Sequence, residues 1–168
     1  MSNNPALLDK AGGLITGQDV STKRLMMDLR QLTPDLAVSE QIRPEDVARL
    51  AEAGFKVLIN NRPDSEAPDG CDHKAMEAAA RAAGIEYHYL PFQPGPITPD
   101  LIAGFGAATG GNRPAFAYCR SGTRSTILWA FNQAGKRSER EILEIAAKAG
   151  YDLSGSRAMI ASLASRAG

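Results

Sequence analysis

The sequence predicts an α/β fold, a mostly parallel central sheet flanked by helices. Two patterns carry the prediction. Short apolar runs of strand length alternate with longer segments whose apolar residues recur at helical spacing, and glycine or proline marks nearly every junction. Strands joined through helices return to the same end of the sheet and so run parallel, with helices covering both faces.

Residues 1–32 carry little pattern. Gly12-Gly13 and a polar opening mark an N-terminal arm, whose last part, 23–32, reads as a short helix. The domain proper is 33–168, and it begins with the short strand Leu36-Ala37-Val38. Pro44 stands where a first helical residue would, Val47, Leu50 and Ala51 supply an apolar face, and Gly54 ends the helix. The apolar run 55–60 is a strand, and 61–72 is a polar loop holding two prolines. A helix over 73–83 stops at Gly84, and a strand occupies 85–90. The proline-rich loop 91–96 then leads to Thr98-Pro99, an N-cap and first-turn proline opening a helix to about 108. Residues 114–118 form the strand that delivers Cys119. A helix over 124–134 stops at Gly135. Ser138-Glu139-Arg140-Glu141 is a capping box for a helix ending before Gly150, and Ser154 caps a last helix over 157–166.

A chain of 168 residues is long enough for one domain with a real core. Lys+Arg and Asp+Glu both total 19, so no excess positive charge is present to hold a nucleic acid or an acidic membrane surface. No apolar stretch approaches the ~20 residues of a membrane helix. Residues 1–10 lack a basic start followed by an apolar core, so no secretory signal is expected. Two cysteines, Cys71 and Cys119, make no disulfide framework, and a reducing cytoplasm is the expected location.

The most informative stretch is Tyr118-Cys119-Arg120-Ser121-Gly122-Thr123-Arg124-Ser125. A cysteine at a strand end, a tight polar loop and an arginine opening a helix make an anion cradle, because backbone N–H groups and the positive end of the helix dipole point into the loop. The same field favours a thiolate, which makes Cys119 the candidate nucleophile. Gly122 lets the amides turn inward. Arg124 offers a planar fork to an anionic oxygen group, and Ser125 is placed to donate a hydrogen bond to the Cys119 sulfur. Arg120, Ser121 and Thr123 rim the pocket. Tyr118 is a plain strand residue.

Asn60-Asn61-Arg62-Pro63-Asp64 closes a strand and falls near Cys119 in such a fold. Arg62 either rims the pocket, with Asp64 orienting a neighbour, or the two form an ion pair that fixes the loop. Cys71 reads as a half-exposed cysteine without a duty, or as a resolving thiol for Cys119. His73 and His88 have no metal-ligand spacing with either cysteine, so neither a metal nor another cofactor is expected. Trp129 is core. The glycines between Gly104 and Gly111 belong to a helix and its exit, since no lysine–serine pair follows them.

With these residues in view, the stretch 36–153 resembles the beta-lactamase-hydrolase-like protein, phosphatase-like domain family, relatives of the dual-specificity phosphatases. The resemblance rests on Pro44-Glu45-Asp46 before Ala53-Gly54-Phe55, and on Ile59-Asn60-Asn61-Arg62-Pro63-Asp64. It continues through Tyr87-His88-Tyr89-Leu90-Pro91, Ile97-Thr98-Pro99, the cysteine loop and Ala149-Gly150-Tyr151-Asp152-Leu153. It implies a phosphatase-like fold. Tyrosine and dual-specificity phosphatases carry His-Cys, five further residues and Arg. Here Tyr118 replaces the histidine, and four residues separate Cys119 from Arg124. That loop length is similar to the rhodaneses, and family members fused to persulfide-dioxygenase-like domains imply a link to sulfur metabolism.

A second departure concerns the general acid. Where dual-specificity phosphatases carry an aspartate, this chain reads Pro91-Phe92-Gln93-Pro94-Gly95-Pro96, without a carboxylate. Asp100, in a helical first turn, and Asp64 and Glu66, in the earlier loop, are the nearest acids. Transfer of sulfur to a thiol needs no such acid. The expected function is therefore a sulfurtransferase working through a Cys119 persulfide, with a small sulfur-containing substrate and a thiol acceptor or a persulfide dioxygenase as partner. The alternative is a phosphatase acting on a small anionic substrate through a phosphocysteine. A third reading is a non-catalytic anion-binding or redox-sensing module.

Overall fold

In the computed structural model, which describes residues 28–167, alternation along the strands sorts the core into two layers. The sheet contains β1 (Arg30–Thr33), β2 (Leu36–Ser39), β3 (Val57–Asn60), β4 (Glu86–Tyr89) and β5 (Ala115–Tyr118), in the order β1-β2-β5-β3-β4. The last four run parallel to one another, and β1 lies antiparallel on β2. Six helices accompany them among the described residues: α1 (Pro44–Glu52), α2 (His73–Ala83), α3 (Pro99–Thr109), α4 (Thr123–Gln133), α5 (Glu139–Lys148) and α6 (Arg157–Ala167). Single 3-10 turns lie at Asp64–Glu66 and Ser154–Ser156.

Successive strand residues face opposite sides. Val38, Val57, Ile59, Ala115 and Ala117 pack with Phe105 of α3, Leu128 and Trp129 of α4, Ile142 of α5 and Ile160 of α6. Ala37, Leu58, Phe116 and Tyr118 meet Val47 and Leu50 of α1 and Met76 and Ala80 of α2. β2, β3 and β5 are buried on both faces, which is why they read as continuous apolar runs rather than alternating ones. Three helix starts follow from side-chain caps. Asp72 accepts from the Ala75 N–H, Thr98 from Leu101 and Ser138 from Glu141, satisfying first-turn donors that the helix itself cannot.

One expectation is corrected. Arg30 to Leu32 are not helical: they open β1, and Leu32 is buried in the core. The connection Pro34-Asp35 turns the chain back so that Arg30 pairs with Val38 and Thr33 with Leu36. The exposed edge of β2 takes these residues as a hairpin partner, and that tertiary demand overrides local helical spacing. The remainder of the expected helix, with the rest of the arm, lies outside the described residues. None of the described helices is long and apolar enough to cross a membrane.

Candidate active site at the carboxyl ends of the parallel strands

Register places Tyr118 opposite both Ser39 and Asn60, and Asn60 opposite Tyr89. The chain therefore leaves β2, β5, β3 and β4 at one level, on the side where parallel sheets bind ligands. Backbone bonds lace these exits together. The Asn61 N–H donates to the Tyr118 carbonyl at 2.8 Å, Phe92 to Asn61 at 2.9 Å, and Gln41 to Arg120 at 3.2 Å.

Cys119 follows β5 directly and is fully buried. Gly122, at φ +94°, is the N-cap of α4, and its N–H donates to Cys119 Sγ at 3.1 Å. The positive φ suits glycine, and the space does too, because a Cβ there would collide with the Tyr151 hydroxyl. The sulfur thus lies at the amino end of an 11-residue helix and accepts a backbone amide.

Arg124 stands in the first turn of α4. Its Nη1 and Nη2 donate to Glu66 Oε2 and Oε1 at 3.1 and 2.7 Å, and Nη1 also donates to the Phe92 carbonyl at 3.0 Å. This two-pronged grip fixes the guanidinium plane beside the loop. Hydrogen bonding to Glu66, with the Cys119 sulfur nearby, holds Arg124 firmly in its charged form against partial burial. The same bond from Arg124, joined by the charges of Arg62 and Arg120, pulls the Glu66 carboxyl below its ordinary value.

Three expectations change. Ser125 does not serve the sulfur: its buried hydroxyl donates to Asn61 Oδ1 at 2.8 Å, because α4 turns it toward the end of β3. Arg62 and Asp64 do not pair with each other. Arg62 Nη1 donates to Gln41 Oε1 at 3.1 Å and its Nε lies 3.7 Å from Glu66. Asp64 instead accepts the His73 N–H at 2.8 Å and pairs with the His73 ring, which stacks on Tyr89. The 3-10 turn points Asp64 and Glu66 in different directions, and Glu66 is the one that reaches the cysteine loop. Cys71 is buried rather than half-exposed, since the turn closed by its N–H on the Pro68 carbonyl folds it inward. Arg120 and Ser121 are exposed at the rim, and Ser121 Oγ donates to Thr123 Oγ1 at 3.0 Å. Tyr118 is buried against the α1 and α2 layer, away from the sulfur.

Sequence reasoning gave no role to Asn61, and only named Glu66 as a nearby acid. Asn61 is fully buried; its Nδ2 donates to the Leu90 carbonyl at 2.8 Å while Oδ1 takes Ser125. One side chain thereby joins the exits of β3 and β4 to α4. The available signal was a polar residue directly after an apolar strand. Glu66 yields a pH prediction. Its folded-state carboxyl is depressed, so the stabilisation from its arginine pair is complete above the ordinary value of 4.5 and is lost as pH falls through the lower folded value. The melting temperature of Glu66→Gln is expected to lie below that of the native chain near neutrality and to converge with it in acid. A gap that persists or widens on acidification would contradict this.

The comparisons with known proteins fit the geometry. Residues 28–136 match the family model described as beta-lactamase hydrolase-like protein, phosphatase-like domain. A beta-lactamase hydrolase-like protein of Xylella fastidiosa is 31% identical over 130 residues, covering 76% of this chain and 30% of the relative, so the chain spans less than a third of that relative's length. A crystal structure of a candidate phosphatase from Neisseria meningitidis is 30% identical with a TM-score of 0.71, covering 82% of this chain and 99% of that one. The core catalytic domain of a PP-IP phosphatase from S. cerevisiae shares the fold at 18% identity and a TM-score of 0.56, covering 80% of this chain and 91% of that one.

Proposed function

We propose, from the premise that the chain belongs to the beta-lactamase hydrolase-like protein, phosphatase-like domain family, that it is a cysteine-dependent phosphatase acting on small phosphate monoesters. The observation that carries this is the Gly122 amide on the Cys119 sulfur at the mouth of α4, with Arg124 braced alongside. The Cys119 thiolate attacks phosphorus, the P–O bond to the leaving oxygen breaks, and the leaving group departs with that electron pair. Water then attacks the phosphocysteine, releasing inorganic phosphate and restoring the thiolate. Loop amides and Arg124 stabilise the charge on the phosphoryl oxygens throughout. The similarity to a candidate phosphatase over nearly its whole length supports this over sulfur transfer.

The carboxylates near the loop shape the substrate range. Asp64 is engaged by His73 and Glu66 by Arg124, and both are held below the ordinary carboxyl range, so neither carries a proton to donate at neutral pH. Aryl phosphates with acidic phenols are expected to outpace alkyl phosphates by at least about 10²- to 10⁴-fold, the factor a general acid would otherwise contribute. A flat dependence of kcat/KM on the leaving group would refute this account of the site. The four-residue spacing between Cys119 and Arg124 favours a second reading, sulfane-sulfur transfer through a Cys119 persulfide. Intact mass after thiosulfate treatment separates the two. Stable gain of one sulfur at Cys119, with no aryl phosphate turnover, would establish the second.

A further inference from the structure

Tyr151 lies in the connector between α5 and the 3-10 turn Ser154–Ser156, remote in sequence from the cysteine loop. We infer that Tyr151 is a positioning residue for the nucleophile: its hydroxyl, bonded to the Ser121 carbonyl, latches the Ser121–Gly122 peptide so that the Gly122 N–H faces the Cys119 sulfur. The inference rests on the reading of Cys119 as the nucleophile.

A trans peptide is planar, and its C=O and N–H point in opposite directions. The Tyr151 hydroxyl donates to the Ser121 carbonyl at 3.1 Å, on one side of the peptide. The Gly122 N–H, on the other side of the same peptide, donates to Cys119 Sγ at 3.1 Å. Rotation of this one unit breaks both bonds together. Such rotation meets little intrinsic resistance beside a glycine, because no Cβ restricts the backbone at Gly122. The orientation of the amide therefore depends on what holds the carbonyl, and among the described residues that contact is Tyr151. The ring lies close against the loop, with Cζ 3.0 Å from where a Gly122 Cβ would stand.

The latch has its own support. The Tyr151 N–H donates to the Ala146 carbonyl at 2.9 Å at the end of α5. Arg30 of β1 donates through Nη1 to the Ala149 carbonyl at 2.8 Å, and a side chain at Gly150 would collide with that same nitrogen. β1, the α5 exit and the cysteine loop are thus in contact through three consecutive residues, Ala149, Gly150 and Tyr151. Half-burial raises the phenol above its ordinary value, so at neutral pH it remains the protonated donor that the latch requires. A phenylalanine at this position keeps the ring and removes only the donor.

The test is alkylation of Cys119 by iodoacetamide from ~pH 5 to ~pH 9, the range over which cysteine thiols ionise, followed by peptide mass mapping to separate Cys119 from Cys71. The native chain is expected to react faster at ~pH 6 than the same chain in denaturant. Tyr151→Phe is expected to slow reaction at ~pH 6 by about 3- to 10-fold, the value of about one hydrogen bond, while matching the native chain at the alkaline plateau. A merely structural role would lower the melting temperature and leave the pH profile in place. Superimposable profiles for the native chain and Tyr151→Phe, with both faster than the denatured chain, would overturn the latch and leave the nucleophile standing. A native profile identical to that of the denatured chain would overturn both. Should Tyr151→Phe fail to fold, Arg30→Ala, which frees the Ala149 carbonyl, is expected to shift the profile in the same direction by less, and an unshifted profile there overturns the latch.

Discussion

Cys119→Ser is expected to abolish turnover of aryl phosphates, by on the order of 10⁴-fold or more, with no phosphorylated protein trapped on acid quench. The change is nearly isosteric, so the fully buried site keeps its packing and the loop keeps its shape. What is lost is the nucleophile. A serine hydroxyl stays protonated under the same Gly122 amide, because one backbone donor and a helix terminus do not supply a base to remove its proton. Of the described groups near the loop, His73 is engaged by Asp64 and the Glu66 carboxylate by Arg124. Binding of phosphate or sulfate is expected to survive in the serine variant, because the amides and Arg124 remain. Turnover equal to the native chain in this variant would end the assignment of Cys119.

Arg124→Ala is expected to weaken phosphate binding by about 10- to 100-fold, the value of a charge-assisted bidentate contact of about 1.5–3 kcal/mol. Two effects act together. The substrate loses a planar donor at the loop. Glu66, relieved of its two bonds to the guanidinium, keeps only the longer 3.7 Å contact with Arg62 Nε, so more of its charge is left beside the proposed anion site. Arg124→Lys restores charge but not the fork that spans Glu66 and the Phe92 carbonyl, so rescue is expected to be partial. The double variant Arg124→Ala, Glu66→Gln is expected to bind phosphate better than Arg124→Ala alone, since it removes the stranded charge. These comparisons are made by competitive inhibition of aryl phosphate hydrolysis by inorganic phosphate. Full rescue by lysine, or identical inhibition in all variants, would contradict the role given to Arg124.

The order of elements from 36 onward was legible because each signal is local. A proline at a first helical turn, a capping side chain three residues before the N–H that donates to it, or an apolar run of strand length acts within a few residues. Asp72, Thr98 and Ser138 cap helices by bonds to residues three positions on. Arg30–Thr33 defied the local reading because its conformation answers to β2, which only the assembled sheet presents. Cys119, Gly122 and Arg124 fall within six residues, so their collection around one helix terminus was also written locally.

The partners of those three were not. Glu66 reaches Arg124 across 58 positions, Asn61 takes the Ser125 hydroxyl across 64, and Tyr151 meets the Ser121 carbonyl across 30. Asp64 and Glu66 are equivalent as residue types in a polar loop, and only the direction of the 3-10 turn decides that one faces His73 and the other Arg124. The sequence by itself determined the mostly parallel α/β architecture and the placement of the candidate nucleophile Cys119 at a helix amino terminus, because short-range sterics and capping set them. The tertiary structure alone decided which carboxylate braces the arginine and which hydroxyl holds the loop peptide, because strand register and helix packing bring distant side chains within the few ångströms over which hydrogen bonds act.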